Sequence, residues 1–135
     1  MKVSFDFDGT LDREQVQKLA LYLLTLDVDV WIHSARFKAS DVRPNWNDDI
    51  LQIANNIGIP ISNIVLTESY DKSIFLEDFV WHLDDSSSTI KSINENSNCK
   101  GIYYSQYRDT GWEKKCVELI KKKEKLNNFS FLFLV

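Results

Sequence analysis

The sequence predicts an α/β protein built on a three-layer, Rossmann-like parallel sheet of five or six strands with helices on both faces. Short apolar runs rich in β-branched residues alternate along the chain with longer stretches of helical period, which is typical of this class. The chain of 135 residues has no internal repeat and no linker that would divide it. One core suffices at this length, so we expect a single domain over residues 1–135.

Each element is predicted from its hydrophobic period. In the first helix Val16, Leu19 and Leu23 recur at three and four residues and form one apolar face. Gly58 and Pro60 end the second helix. The predicted strands are residues 2–7, 28–33, 64–67, 79–83 and 102–104, and the predicted helices are 13–26, 48–56, 87–94 and 112–125, with a short helical or irregular segment at 71–76.

The composition is that of an ordinary globular protein, with 44% hydrophobic and 27% charged residues. A net charge of -4 argues against nucleic-acid binding by phosphate neutralisation alone, although a local basic patch stays open as an alternative. Cys99 and Cys116 lack metal or redox spacing and are expected to be reduced structural thiols.

Membrane insertion is not expected. The first residues do not resemble a charged leader followed by an apolar stretch, which predicts a cytoplasmic protein. The apolar tail, residues 129–135, is far shorter than the roughly 20 residues that span a bilayer. We expect this tail to be a strand or a packed terminus.

Acidic residues gather where the predicted strands end. Asp6 and Asp8 lie at the end of the first strand, Ser34 closes the second, and Asp84 and Asp85 follow the fourth. In open α/β sheets the binding crevice lies beyond the carboxyl ends of the strands, so these side chains should converge. Because side chains two positions apart on a strand point to the same side, the carboxylates of Asp6 and Asp8 should lie close together. Their mutual repulsion requires a cation or a proton between them. Hard oxygen ligands point to magnesium.

Four motifs in this order resemble the signatures of the haloacid dehalogenase (HAD) superfamily. Residues 6–11, DFDGTL, resemble the first signature, and Ser34 resembles the Ser or Thr of the second. Lys72, which precedes the fourth strand, is similar to the lysine of the third signature. Asp84 and Asp85 are similar to the acidic pair of the fourth signature. The resemblance spans almost the whole chain and implies a magnesium-dependent phosphatase.

The resemblance also implies a role for each residue. Asp6 would attack phosphorus and form an aspartyl-phosphate, and Asp8 would protonate the leaving oxygen and then activate water. Ser34 would hydrogen-bond a phosphoryl oxygen, and Lys72 would offset the accumulating negative charge. The metal ligands would come from Asp6, Asp8 and Asp85, with Asp84 either as an alternative ligand or as an orienter of Lys72.

Substrate contacts are implied at Gly9, Thr10, Ala35 and Arg36. The run Ser34-Ala35-Arg36 is similar to a Ser-Gly-Arg form found in relatives that act on nucleotides or polynucleotide ends, and it implies that Arg36 grips a phosphate through two hydrogen bonds. Neither position at which the family carries a cap domain has room for one. The resemblance therefore implies an open site for a large or polymeric substrate, or a site covered by a partner subunit.

Several substrates and more than one oligomeric state are compatible with the sequence. A nucleotide, a polynucleotide 3′-phosphate, a sugar phosphate and a phosphoprotein all fit an uncapped site, in a monomer or a small homo-oligomer. The basic and aromatic loop at residues 35–47 is the expected substrate contact. His33 and His82 are expected to be packed or hydrogen-bonded structural residues.

Two other classes of protein remain as alternatives. One is a catalytically silent HAD-like binding or structural module, which the intact set of signature residues disfavours. The other is a response-regulator receiver, which would need an acidic phosphoacceptor where the third strand ends in Thr67.

Overall fold

A computed structural model describes the backbone of residues 1–134 and the side chains of residues 1–128. Its strands form one parallel sheet in the order β3-β2-β1-β4-β5. The strands are β1 (Lys2–Phe5), β2 (Asp29–Ser34), β3 (Ile64–Leu66), β4 (Phe79–Asp84) and β5 (Lys100–Tyr103). The predicted α/β class and its parallel sheet are confirmed, with five strands in the part of the chain that the structure describes.

Helices follow four of the five strands. They are α1 (Glu14–Thr25), α2 (Asp48–Ile57), α3 (Ser87–Asn96) and α4 (Trp112–Leu134), and short 3-10 turns lie at Ile61–Asn63 and Lys72–Phe75. Each predicted helix is present, with ends that differ by a few residues except at α4.

The expectation of a strand in the apolar tail is wrong for residues 129–134. The last helix does not end near residue 125 but continues to Leu134, and Val135 lies outside the described residues. The sequence after Gly111 contains neither glycine nor proline, so nothing in it ends the helix once it has started. A run of aromatic and branched residues favours a strand by propensity, but propensity is weak against helix propagation.

The apolar core lies in two parts. The larger part includes Val30 and Ile32 of β2 and joins the sheet to α1, α2 and α4. The smaller part contains Leu76, Phe79 and Ile93 of α3, with Trp31 of β2 packed against it. Because successive side chains of a strand point to opposite faces, the alternation along β2 places the two parts on opposite sides of the sheet.

Strand β1 ends earlier than its apolar run suggests. It stops at Phe5, and residues Phe7–Leu11 form a wide turn whose backbone is not helical at Asp8 and Gly9. Hydrogen bonds from the Leu11 N–H to the Asp6 carbonyl and from the Asp12 N–H to the Phe7 carbonyl, at 3.1 and 3.2 Å, close this turn. The sheet continues one bond further, since the Asp6 N–H donates to the Leu83 carbonyl at 2.9 Å. Asp6 is therefore fixed to the neighbouring strand just where the chain turns.

The strand order reverses between β1 and β4. From β1 the chain first adds β2 and β3 on one side, and then returns to place β4 and β5 on the other. A crevice forms at such a switch point, beyond the carboxyl ends of the strands. The fold thus brings residues near position 6 beside residues near position 84. Within residues 1–134, no helix is both long enough and apolar enough to cross a membrane.

Candidate active site

A cavity of about 560 Å³ opens at the carboxyl ends of β1 and β4. Its lining includes Asp6, Asp8, Lys72, Asp84 and Asp85. These residues come from the end of β1, the turn before β4 and the end of β4, which are far apart in the sequence. A cavity of this size with a few converging polar groups suits a small ligand or one end of a larger one.

Lys72 is the centre of the charged cluster. Its Nζ lies 2.8 Å from Asp6 Oδ1 and 2.7 Å from Asp84 Oδ2, and the side chains of all three are at most 10% exposed. Burial alone would favour neutral lysine, but the charges of Asp6 and Asp84 outweigh it and raise the Lys72 pKa. The ammonium therefore stays charged between two carboxylates.

The two carboxyl groups beside Lys72 have opposite pKa shifts. Burial, followed by the negative charge of Asp84, raises the Asp6 pKa to about 8, against the partial compensation by Lys72. The pKa of Asp84 is lowered although burial opposes this, because His82 and Lys72 both donate hydrogen bonds to its carboxylate. Asp6 is thus the carboxyl group that most needs additional positive charge in order to ionise at neutral pH.

Asp85 completes a group of three carboxylates. Oxygens of Asp6, Asp84 and Asp85 lie within 4.8 Å of one another, and Lys72 is the ammonium that contacts this group. Burial is the largest cause of a raised pKa at Asp85, and the charge of Asp84 adds to it. When all three carboxylates are ionised, one ammonium leaves a formal excess of two negative charges. Such an excess of hard oxygen ligands fits a divalent cation such as Mg²⁺.

Gly9 allows Asp85 to approach the turn after β1. The residue has a φ of +76°, and a Cβ at this position would lie 2.2 Å from Asp85 Oδ2. Any side chain would therefore face both an unfavourable backbone conformation and the carboxylate. The glycine of the DFDGTL motif contributes space to the site.

Arg36 lies between two carboxylates at the rim. Its Nε and Nη2 donate to both carboxylate oxygens of Asp8, and its Nη1 and Nη2 donate to both oxygens of Asp49 on α2. The hydrogen bonds to Asp49 are the largest cause of the raised Arg36 pKa and of the lowered Asp49 pKa. The guanidinium also lies over the ring of Phe7, 5.2 Å from its centroid. Arg36 thus orients Asp8.

Some predicted site residues lie behind the cavity. Thr10 is buried and its hydroxyl donates to Asp6 Oδ2 at 3.3 Å, so it contacts the predicted nucleophile. Ser34 is buried at the end of β2, where its Oγ accepts a 3.3 Å hydrogen bond from the Arg36 N–H. Ala35 is part of the cavity lining. Ser34 and Thr10 therefore hydrogen-bond site residues but do not line the cavity themselves.

The loop after β3 forms part of the cavity rim. Thr67, Glu68 and Ser69 donate backbone hydrogen bonds to the carbonyls of residues 34, 36 and 35, and Glu68 and Ser69 both have positive φ angles. Asp71 fastens the loop to α3 by accepting a hydrogen bond from Ser92 at 2.6 Å. The result is an exposed Tyr70 at the edge of the cavity.

Residues that the sequence analysis did not assign to the site lie in contact with it. Asp49 contacts Arg36 from α2, and no sequence pattern indicates that pairing. His82 lies 2.7 Å from Asp84 Oδ2, and the two residues share one side of β4 because they are two positions apart. His33 and His82 are packed and hydrogen-bonded, but His82 does contact a site residue. The alternation on β4 was the signal that could have revealed this.

The chain matches no protein-family model, and no curated protein is similar enough to count as a relative. What is established is therefore an α/β fold with a five-stranded parallel sheet and an acidic, lysine-containing cavity at its switch point.

Proposed function

We propose that this protein is a magnesium-dependent phosphomonoester hydrolase of the HAD type, with Asp6 as the nucleophile. The observation that supports this best is the position of Lys72, with Nζ at 2.8 Å from Asp6 and 2.7 Å from Asp84, in a cavity also lined by Asp8 and Asp85. A reactive carboxylate beside an ammonium and a group of hard oxygen ligands is suited to phosphoryl transfer, where negative charge must be offset.

The proposed reaction has two displacements. An oxygen of Asp6 attacks phosphorus, the bond from phosphorus to the leaving oxygen breaks, and Asp8 gives that oxygen a proton. Water then attacks the phosphorus of the aspartyl-phosphate while Asp8 takes its proton, and the bond to Asp6 breaks to release inorganic phosphate. Throughout, Lys72 offsets the negative charge next to Asp6.

Arg36 limits the access of a leaving group to Asp8. Both oxygens of Asp8 accept hydrogen bonds from Arg36, and release of one of them by the guanidinium would make that oxygen more accessible to the leaving group. An incoming phosphate is a suitable new acceptor for that donor. In this proposal substrate binding itself frees Asp8.

Magnesium would be held chiefly by Asp6 and Asp85, and a backbone carbonyl beside Asp8 would help. The magnesium ion would supply positive charge next to the phosphoryl oxygens. Asp84 is the poorer candidate for direct contact, because His82 and Lys72 donate to its Oδ2 and the Ser86 N–H donates to its Oδ1. Asp84 then orients Lys72.

We propose an uncapped site that accepts a nucleotide or the phosphorylated end of a polynucleotide. Only residues 6–13 lie between β1 and α1, and only residues 67–71 between β3 and Lys72, so neither connection has room for a further domain. Exposed Tyr70 on the rim and Trp46, whose carbonyl accepts from Arg36, offer aromatic surface to a base.

Phosphate release tests the proposal. p-Nitrophenyl phosphate and a panel of nucleotides would be incubated with wild-type protein, with Mg²⁺ or with EDTA, and with Asp6→Asn. The matched control is Asp27→Asn, an exposed residue that precedes β2 and so lies at the opposite edge of the sheet. Turnover that needs Mg²⁺, disappears in Asp6→Asn and survives in Asp27→Asn is expected.

Absence of turnover on every substrate would argue for a different class. In that case a catalytically silent binding module would become the better description. Retained turnover in Asp6→Asn would instead remove the proposed nucleophile.

A further inference from the structure

Three buried polar side chains form a chain of hydrogen bonds behind the site. Ser4 of β1 and His82 of β4 are register partners in the sheet, and His33 lies on β2 at the other side of Ser4. Ser4 Oγ is 2.7 Å from His33 Nδ1 and 2.8 Å from His82 Nδ1. His82 Nε2 is in turn 2.7 Å from Asp84 Oδ2. At most 1% of each of the three residues is exposed.

The direction of each hydrogen bond follows from the chemistry of the groups. An ionised Asp84 only accepts, so His82 Nε2 must carry a hydrogen. The Ser4 hydroxyl has one hydrogen and lies between two ring nitrogens, so it donates to one Nδ1 and accepts from the other. A neutral His82 then has a bare Nδ1 that accepts from the Ser4 hydroxyl, and the Ser4 oxygen accepts from His33 Nδ1–H.

This chain fixes the carboxylate of Asp84. His82 and Lys72 donate to its Oδ2, and the Ser86 N–H donates to its Oδ1 at 3.0 Å, so both oxygens are held. Lysine has a flexible stem and its ammonium can turn its hydrogens in several directions. A fixed carboxylate on one side and Asp6 on the other therefore determine where the ammonium lies.

Stability alone does not explain these residues. Burying a hydroxyl and two imidazoles costs free energy unless every group is paired, and apolar residues of similar shape would fill the same place at no such cost. The aromatic rings of Phe79 and Trp31 already pack around His33. A polar chain that begins among aromatic rings and ends on Asp84 indicates a role at the site.

We propose that His82 and Ser4, with His33 behind them, are positioning residues that hold Asp84 in one orientation and thereby aim the Lys72 ammonium at Asp6. The proposal rests on the phosphatase function proposed above. None of the three residues lines the cavity, so none is expected to touch the substrate.

Two substitutions of His82 separate positioning from packing. His82→Leu removes the donor to Asp84, and we expect kcat to fall roughly 10- to 100-fold, as for other changes behind a ligating group, with KM little changed. His82→Gln places an amide N–H near the position of Nε2, and we expect it to recover most of the lost kcat. Equal kcat in the wild type and in a folded His82→Leu would overturn the proposal.

Ser4→Ala and Ile93→Ala extend the comparison. Ser4→Ala leaves His82 Nδ1 without its donor, so we expect a smaller fall in kcat than in His82→Leu. Ile93 is buried on α3 on the same side of the sheet and has no part in the chain, so Ile93→Ala should lower thermal stability without lowering kcat. A fall in kcat that merely follows stability across these variants would contradict positioning.

The tautomers provide a readout that does not depend on activity. Long-range ¹H–¹⁵N correlation spectra of wild-type protein with labelled histidine should show the hydrogen of His82 on Nε2 and that of His33 on Nδ1. The opposite tautomer at His82 would overturn the proposed chain of hydrogen bonds even if the variants fail to fold. Failure of the proposed function would appear separately, as a wild-type protein that has these tautomers but does not release phosphate.

Discussion

Arg36 and Asp8 face each other through two hydrogen bonds, from Nε to Oδ2 at 2.9 Å and from Nη2 to Oδ1 at 2.6 Å. Asp49 occupies the other edge of the same guanidinium, with Nη1 at 2.7 Å from Oδ1 and Nη2 at 2.9 Å from Oδ2. Both forks of the arginine are therefore filled by carboxylates. Only a planar group with five donors can hold two carboxylates in this way.

Arg36→Lys should reduce turnover more than stability. A lysine offers a point charge and cannot hold both Asp8 oxygens and both Asp49 oxygens, so Asp8 loses its orientation. We expect kcat/KM for a phosphomonoester to fall roughly 10-fold or more. The matched control is Arg108→Lys, since Arg108 lies over the Tyr103 ring and does not line the cavity. An equal loss in both variants would contradict this role of Arg36.

Gly9→Ala should destabilise the protein and displace Asp85. The left-handed conformation alone costs an alanine roughly 1–2 kcal/mol, and the new Cβ would lie 2.2 Å from Asp85 Oδ2. Gly111→Ala is a close control, because Gly111 has a φ of +72° but its nearest neighbour, Lys115 Cε, would be 3.8 Å from a Cβ.

Urea unfolding and Mg²⁺-dependent turnover would be measured for both glycine variants. We expect a larger loss of unfolding free energy in Gly9→Ala, and a loss of turnover in that variant alone. Similar values for the two would mean that the approach of Asp85 to the turn has no consequence.

Asp84→Asn should mainly lower stability, whereas Asp85→Asn should mainly weaken Mg²⁺ binding. Asp84 is buried against Lys72 and His82, so its neutralisation breaks a buried charge pair and costs on the order of 3 kcal/mol of unfolding free energy. Asp85 is exposed, so Asp85→Asn should cost little stability but should weaken Mg²⁺ binding strongly. Titration calorimetry with Mg²⁺ and thermal unfolding would measure both. Weaker Mg²⁺ binding in Asp84→Asn than in Asp85→Asn would mean that Asp84, and not Asp85, is the main metal ligand of the two.

The stability of the metal-free protein should depend on the ionisation of Asp6. The pKa of this group is 3.8 in its ordinary state and about 8 in the fold, because of burial and then the charge of Asp84. The folded state therefore holds the proton more tightly, and the associated stabilisation is present below pH 3.8 and is lost as the pH rises to about 8.

Comparison with Asp6→Asn separates the pH dependence of stability that comes from Asp6 from that of the histidines. In EDTA, the melting temperature of the wild type relative to Asp6→Asn should fall between about pH 4 and pH 8, with the window set by the two pKa values of Asp6. Mg²⁺ added at pH 8 should raise the wild-type value, since a cation binds the ionised carboxylates. A difference that stays constant across this range would mean that Asp6 is not perturbed.

The fold could be predicted because its signals are local. Apolar runs of strand length and the three- and four-residue spacing of Val16, Leu19 and Leu23 each lie within one element, and the alternation of the elements determines the class. The convergence of Asp6 and Asp84 could be predicted as well, since the carboxyl ends of neighbouring parallel strands meet at one edge.

Contacts that depend on the tertiary arrangement could not be predicted. Asp49 and Arg36 meet only because α2 returns past the end of β2, and no spacing in the sequence encodes that approach. The hydrogen bond between Ser4 and His82 depends on the register of β1 and β4, which is known only once the two strands are paired. The length of α4 depends on the absence of a helix-ending residue rather than on a pattern.

The position of β4 between β1 and β5 also governs when the site first exists during synthesis. Lys72 and Asp84 follow Asp6 in the sequence by 66 and 78 residues, so both are synthesised after it. Until β4 pairs with β1, the carboxyl group of Asp6 has neither its ammonium partner nor the neighbours that raise its pKa. The site therefore cannot form before β4 pairs with β1, a contact between residues that lie far apart in the sequence.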